Sequence, residues 1–369
     1  MKKIYTLRVL AWIGMATLVA ILFWMAVAWC IPPYTTPDSS AQIYTIRHQD
    51  LRDNNPLYTN LLLKGIKEHD GYLVLGTSET NELPNGNYFD FLNADTTIHA
   101  FFSVIGGAGR TPCTYFPLIQ SNENVRNLKL LYFVNPSYWC NKLAKSNADY
   151  FHRYVSITEY RKANHPKDQD VDHILKVNRR NVRLSDRIVE PLSCMADRVR
   201  RKYHQDLAFA LDPTKFYHRL TWADTAWINR KARNCTPPDS NQHNYSLNIS
   251  STFNVYSYML RPYPEEQYRY DELRTMVRLC REHGVDATFV VGPYNRSAFE
   301  QIHPEYLNDI QLVVTNTIRL LEKEGAQYID CSELSANPAT FDDWQHPNSY
   351  GAFLIYQKIR EYVLEKENR

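Results

Sequence analysis

The chain has 369 residues, 44% of them hydrophobic, with 42 Lys and Arg against 40 Asp and Glu for a formal net charge of +2. That balance gives no global electrostatic case for nucleic-acid binding. The length beyond the amino-terminal segment is ample for one large α/β domain with insertions, and no Cys-x-x-Cys pair or histidine cluster marks a metal site.

Residues Val9 to Cys30 hold no charged side chain over 22 positions. At ~1.5 Å per residue they would reach about 33 Å, against a hydrocarbon core of about 30 Å. Lys2, Lys3 and Arg8 precede this stretch, while Pro32, Pro33 and Asp38 follow it. The positive-inside rule therefore predicts a single-pass anchor in the cell membrane, over residues 1–30, with a cytoplasmic amino terminus and an extracytoplasmic catalytic domain. A cleaved signal peptide is the rival, because Ala26-Val27-Ala28 resembles a cleavage site. Against it stand the length of the apolar run and the interfacial tryptophans Trp24 and Trp29. Residues 31–55 are polar and proline-containing and read as a linker to a domain over 56–369.

Within that domain, Asn55 to His69 reads as a helix with Leu57, Leu61, Leu62 and Ile66 near one face. Tyr72–Leu75 reads as a strand running into Gly76-Thr77-Ser78-Glu79, where Glu79 is expected to cap the turn or sit at a helix amino terminus. A glycine loop, Gly106-Gly107-Ala108-Gly109-Arg110, opens a helix through Gln120. Leu128–Val134 reads as a buried strand ending at Asn135-Pro136-Ser137-Tyr138-Trp139.

The stretch from about 140 to 260 is charged and tyrosine-rich and shows no core strand, which predicts a helical insertion. Nine Arg and Lys between Lys176 and Lys202 make a basic face toward anionic lipid or polymer the alternative. Alternation then resumes. A helix over about 264–283 leads to a strand at 287–291 and Gly292-Pro293-Tyr294-Asn295. A second helix, over about 304–324, leads to a short strand at 326–330, and the last helix covers about 350–364. Strands alternating with helices of this length predict an α/β fold, a three-layer doubly wound parallel sheet. Its strand-end loops carry Ser78, Gly106–Gly109, Asn135, Asn295 and His346 to one edge. Of the seven cysteines, six lie beyond the anchor (Cys113, Cys140, Cys194, Cys235, Cys280, Cys331), spaced too irregularly for a dense disulfide scaffold.

Chemistry enters through Ser78 and the late Asp343-Trp344-Gln345-His346-Pro347-Asn348 segment. A serine hydroxyl needs a base to take its proton and a third group to orient that base. Asp-x-x-His occurs three times, at Asp149/His152, Asp170/His173 and Asp343/His346. The first two fall in charged helical stretches and read as solvated faces; only the third follows a strand and precedes a helix. His346 is thus the candidate base and Asp343 its partner, with Asp342 as a competitor. Backbone N–H groups of Ser78 and of Gly107 or Gly109, with the Asn135 amide, are candidates for an oxyanion site.

The order of anchor, Gly-x-Ser-Glu, Gly-Gly-x-Gly, Asn-Pro-Ser-Tyr-Trp, Pro-Tyr-Asn and Asp-x-x-His-Pro resembles the DltD family. Thr77, where that family often has serine, and Asn135, where serine is commoner before the proline, are departures that remove no catalytic group. The resemblance implies an SGNH-type (flavodoxin-like) hydrolase domain tethered to the membrane. It also implies Ser78 as nucleophile, with a role in D-alanylation of teichoic acid in the cell envelope. The partners it implies are a membrane-bound O-acyltransferase (DltB-like), a D-alanyl carrier protein and an anionic envelope polymer. No cofactor is expected. Two other functions are consistent with the same residues: an O-acetyltransferase or deacetylase of an exported polysaccharide, and a non-catalytic scaffold that binds polymer, carrier protein or acyltransferase.

Overall fold

The computed structural model describes residues 2–30, 43–45, 56–81, 83, 85–106, 109–140, 163–180, 221–222 and 261–368. The chain divides into two compact units, one of Ala41–Asp186 with Tyr217–Arg369 and one of Met1–Ser40 with Arg187–Phe216. In the smaller unit only helix α1 (Lys2–Cys30) is described. Its side chains Trp12, Ile13, Leu18 and Phe23 are exposed. Among the described residues, no helix is long and apolar enough to cross a membrane.

The larger unit is built on a parallel sheet whose strands follow the apolar runs of the sequence. In chain order its described elements are β1 (Ile43–Thr45), α2 (Pro56–Glu68), β2 (Tyr72–Leu75), α3 (Tyr88–Ala94), β3 (Phe102–Ile105), α4 (Phe116–Ser121), β4 (Lys129–Val134), α5 (Gln169–Arg180) and β5 (Thr221–Trp222). There follow α6 (Gln267–Glu282), β6 (Asp286–Val291), α7 (Arg296–Ile302), α8 (Leu307–Lys323), β7 (Gln327–Asp330) and α9 (Ser349–Glu367). Strands β1 and β5 form a separate antiparallel pair. The remaining five form one sheet in the order β3-β2-β4-β6-β7, every neighbour parallel.

That order starts at β2, steps outward to β3, then crosses back to β4 and continues the other way. Right-handed crossovers put helices reached by opposite steps on opposite faces. Accordingly α3 and α9 pack together on one face, while α6 contacts both α4 and α8 on the other. The side chains of β4 alternate with the period of a strand. Leu131 and Phe133 join Phe91, Ile355 and Ile359 beneath α3 and α9. Tyr132 points the other way, to Tyr115 and Phe289, with ring centroids 6.1 and 5.8 Å away. All four residues of β2 are buried, as a strand covered on both faces requires. Truncating a fully buried member such as Ile359 to Ala costs about 2–5 kcal/mol.

Most of the segment expected to form a helical insertion lies outside the described residues. Within it α5 is helical, and Arg278 of α6 holds it through Asp168 at 2.6 Å. Cys113, Cys140, Cys280 and Cys331 are buried and form no disulfide among the described residues, acting as small core residues; Cys194 and Cys235 lie outside the described residues.

Candidate active site

The order in which strands are added reverses at β3-β2-β4, the point at the carboxyl ends of β2 and β4 where an open α/β sheet forms its crevice. Ser78 follows β2 and Asn135 follows β4, so the crevice is flanked by two residues that the sequence singled out. Ser78 begins a single 3₁₀ turn, Ser78–Thr80, held by Thr80 N–H and Oγ1–H donating to the Thr77 carbonyl at 3.1 and 2.6 Å. Two glycines permit this turn. A Cβ at Gly76 would stand 2.6 Å from Glu79 Oε1, and one at Gly106 would stand 1.7 Å from Thr80 Oγ1. The buried Tyr115 hydroxyl, near Gly76 O (2.6 Å) and Ile105 O (3.1 Å), ties the ends of β2 and β3 together.

His346 arrives from the far edge of the sheet. After β7 the chain turns back through residues 332–340, and a bridge between Phe341 and Pro347 closes the loop that carries Asp343 and His346. Two asparagines fix that loop. Asn348 caps α9 through Gly351 N–H at 2.9 Å and donates to the Ala339 carbonyl at 2.8 Å. Asn295, wholly buried after β6, donates its amide to the Asp343 carbonyl at 2.9 Å. As a positioning residue Asn295 was noted in the sequence only as a strand-end residue; its partner is 48 positions away and no local pattern announces it.

The three side chains meet in series. Ser78 Oγ lies 2.7 Å from His346 Nε2, and His346 Nδ1 lies 2.6 Å from Asp343 Oδ2. The other carboxylate oxygen of Asp343 accepts the backbone N–H groups of Gln345 and His346 at 2.8 and 2.7 Å. A carboxylate only accepts, so the ring proton sits on Nδ1 and leaves Nε2 its lone pair for the serine hydroxyl. The Gln345 amide also reaches Nε2, at 3.2 Å. Burial opposes charging His346, but the bond and charge of Asp343, helped by Glu79 and Asp342, outweigh it and raise the imidazole pKa. Burial likewise pushes Asp343 up, and its bonds to His346 and Gln345 bring it below the ordinary carboxylate value. It is thus Asp343, not Asp342, whose carboxylate holds the ring. Asp170 and His173 sit instead on helix α5, and Asp149 and His152 lie outside the described residues.

Of the oxyanion candidates, Gly107 lies outside the described residues. Gly109 adopts the left-handed φ of 73° that favours glycine. Asn135 is buried, and its Oδ1 accepts Ser137 N–H at 3.0 Å. Glu79 does not cap a helix: it folds back on Thr77, accepting both its N–H and its hydroxyl at 2.5 Å. Among the described residues, no cluster of His, Cys, Asp and Glu gathers as a set of metal ligands.

A hydroxyl, an imidazole and a carboxylate bonded in series at the carboxyl edge of a parallel α/β sheet are the arrangement of an esterase-like hydrolase. No protein-family model and no curated protein matches the chain. Among solved structures the chain is similar to the extracellular lipase of Streptomyces rimosus, with a TM-score of 0.34 and 10% identity over 80% of this chain and 98% of the lipase. A likeness of that size carries no argument about the site.

Proposed function

We propose that the chain is a serine esterase or O-acyltransferase of the DltD type, tethered to the membrane and working on an envelope polymer. The observation that supports this most is the chain of contacts from Ser78 Oγ through His346 to Asp343, at 2.7 and 2.6 Å. Ser78 Oγ attacks the carbonyl carbon of an activated ester while His346 Nε2 takes its proton. The tetrahedral centre collapses, the leaving group departs with that proton, and an acyl-Ser78 ester remains. A polymer hydroxyl then attacks the ester, His346 takes its proton, and the proton returns to Ser78 Oγ as the new ester leaves. Base catalysis of this kind contributes about 10²–10⁴ in rate.

D-alanine as the acyl group, teichoic acid as acceptor, and a DltB-like acyltransferase with a D-alanyl carrier protein as partners follow from the motif resemblance alone. The membrane location rests on the uncharged run Val9–Cys30 and the basic residues before it. Hydrolysis, as in a polysaccharide deacetylase, is the second reading. The His346 side chain is 30% exposed, which gives water a route to the acyl ester.

The test is acyl transfer from an activated ester to polysaccharide or water by the full-length protein, against Ser78→Ala and His346→Ala. Both variants should fold and lose turnover. Envelope acylation that survives Ser78→Ala would instead favour a scaffold.

A further inference from the structure

One side chain outside the triad reaches its base. Among the described residues, His346 Nε2 has two polar neighbours, Ser78 Oγ at 2.7 Å and the Gln345 amide nitrogen at 3.2 Å. Asp343 keeps the ring proton on Nδ1, so Nε2 offers a single lone pair and both neighbours must donate to it. In the resting site the Ser78 hydroxyl, at the shorter distance, makes the stronger of the two bonds. The Gln345 side chain is not needed to hold the loop. Its backbone N–H binds Asp343 Oδ1 at 2.8 Å, Trp344 before it is buried, and Pro347 bridges to Phe341. The side chain itself is half-buried, and its amide makes no other hydrogen bond among the described residues.

Acylation changes this balance. Once Ser78 Oγ carries the acyl group it has no proton to donate, and the Gln345 amide is the one described donor left beside Nε2. Deacylation needs the same lone pair. The O–H of water or of a polymer hydroxyl must donate to Nε2 while its oxygen attacks the ester carbon. The new C–O bond forms, the proton passes to Nε2, the C–Oγ bond breaks, and the proton returns to Ser78 Oγ. The amide has to give way before the first of these events, because a protonated Nε2 would face its NH₂ group donor to donor. We propose that Gln345 guards the acyl-enzyme: its amide occupies the lone pair of the base after acylation, and an attacking hydroxyl must displace it. A lone water brings little to that displacement, whereas a polymer held by more than its reacting hydroxyl brings the rest of its binding. Gln345 thereby slows hydrolysis and favours transfer. This rests on the esterase or acyltransferase reading of the site.

The experiment mixes the purified full-length chain with p-nitrophenyl acetate in quench-flow and follows acetyl-Ser78 by mass spectrometry, which gives separate rates for its formation and for its decay in water. Wild type, Gln345→Met and Gln345→Ala are compared on the alkaline plateau and down the acid limb, with a thermal melt of each. In Gln345→Met, decay of acetyl-Ser78 should be faster by about 2- to 10-fold, the worth of one neutral hydrogen bond, with a smaller gain in its formation. The acid limb of decay should move up by as much as about one pH unit, because the lost donor no longer favours the neutral ring. A merely structural role would change neither the limb nor the ratio of the two rates. Decay no faster than wild type in a folded variant, an equal gain in both steps, or an unmoved limb overturns the proposal and leaves the esterase reading standing. Should Gln345→Met fail to fold, the same rates in Gln345→Ala decide; unfolding of both makes the side chain structural and overturns the proposal. Absence of acetyl-Ser78 in the wild type defeats the esterase reading and the proposal with it.

Discussion

Replacing Asp343 by Asn separates orientation from charge, and the structure dictates how it should act. One oxygen of Asp343 accepts two backbone N–H groups at 2.7 and 2.8 Å, so an amide there must keep its oxygen on that side. Its NH₂ group is then forced into the place of Oδ2, 2.6 Å from His346 Nδ1. Two donors cannot face each other, so Nδ1 must lose its proton and Nε2 must carry it. Nε2–H now donates to Ser78 Oγ instead of accepting from it, and the base is lost while the geometry stays. For a triad whose histidine is held in the wrong tautomer the loss is about 10⁴ in kcat, close to 5.4 kcal/mol at 1.36 kcal/mol per factor of ten. The assay is kcat for p-nitrophenyl acetate between pH 5 and 9, with a thermal melt of the variant. Activity within about tenfold of wild type in a folded Asp343→Asn variant would refute this assignment of the proton.

Four further outcomes follow from the same structure. Because the folded pKa of His346 is raised above its ordinary 6.5, the neutral base is lost as pH falls through that higher value; the acid limb of kcat/KM should sit above pH 6.5, and a limb at or below it contradicts the electrostatics. By linkage, the stability His346 contributes is full below pH 6.5 and lost as pH rises through its folded pKa, which melts across that window would register. Gly106→Ala would put a methyl 1.7 Å from Thr80 Oγ1 and should destabilise by about 1–3 kcal/mol, with Thr80→Ala in the same chain recovering part of the Tm. Burial raises the Cys280 and Cys331 thiols to about 12, so neither should react with a thiol reagent at pH 8 until the chain is denatured; peptide mapping after labelling checks this.

Much of the sheet could be read directly from the chain because parallel strands covered on both faces must be near-continuous apolar runs. Tyr72–Leu75 and the run ending at Val134 are such runs, and they form β2 and β4 within a residue of the expected limits. Strand β3 escaped notice: Phe102–Ile105 is four residues long, includes Ser103, and is buried by tertiary contacts more than by its own pattern. Helix α3 is only seven residues, too short for helical periodicity. Its one local mark is the capping box of Asn87 and Asp90. The pair Asp343 and His346 stood out from the two other Asp-x-x-His pairs by context, since only it lies between a strand and a helix amino terminus. What no linear reading supplies is the work of Asn295 on the Asp343 carbonyl and of Glu79 on Thr77. Polar residues at strand ends look alike until folding gives them partners.

The most direct test of the central claim is to find where an acyl group lands. The full-length protein is mixed with p-nitrophenyl acetate, quenched in acid within the first turnover, digested, and its peptides sequenced by mass spectrometry. The account predicts one acetyl group, on Ser78, absent from Ser78→Ala and strongly diminished in His346→Ala. Acetylation spread over lysines, or an equal yield on Ser78 without His346, would contradict it.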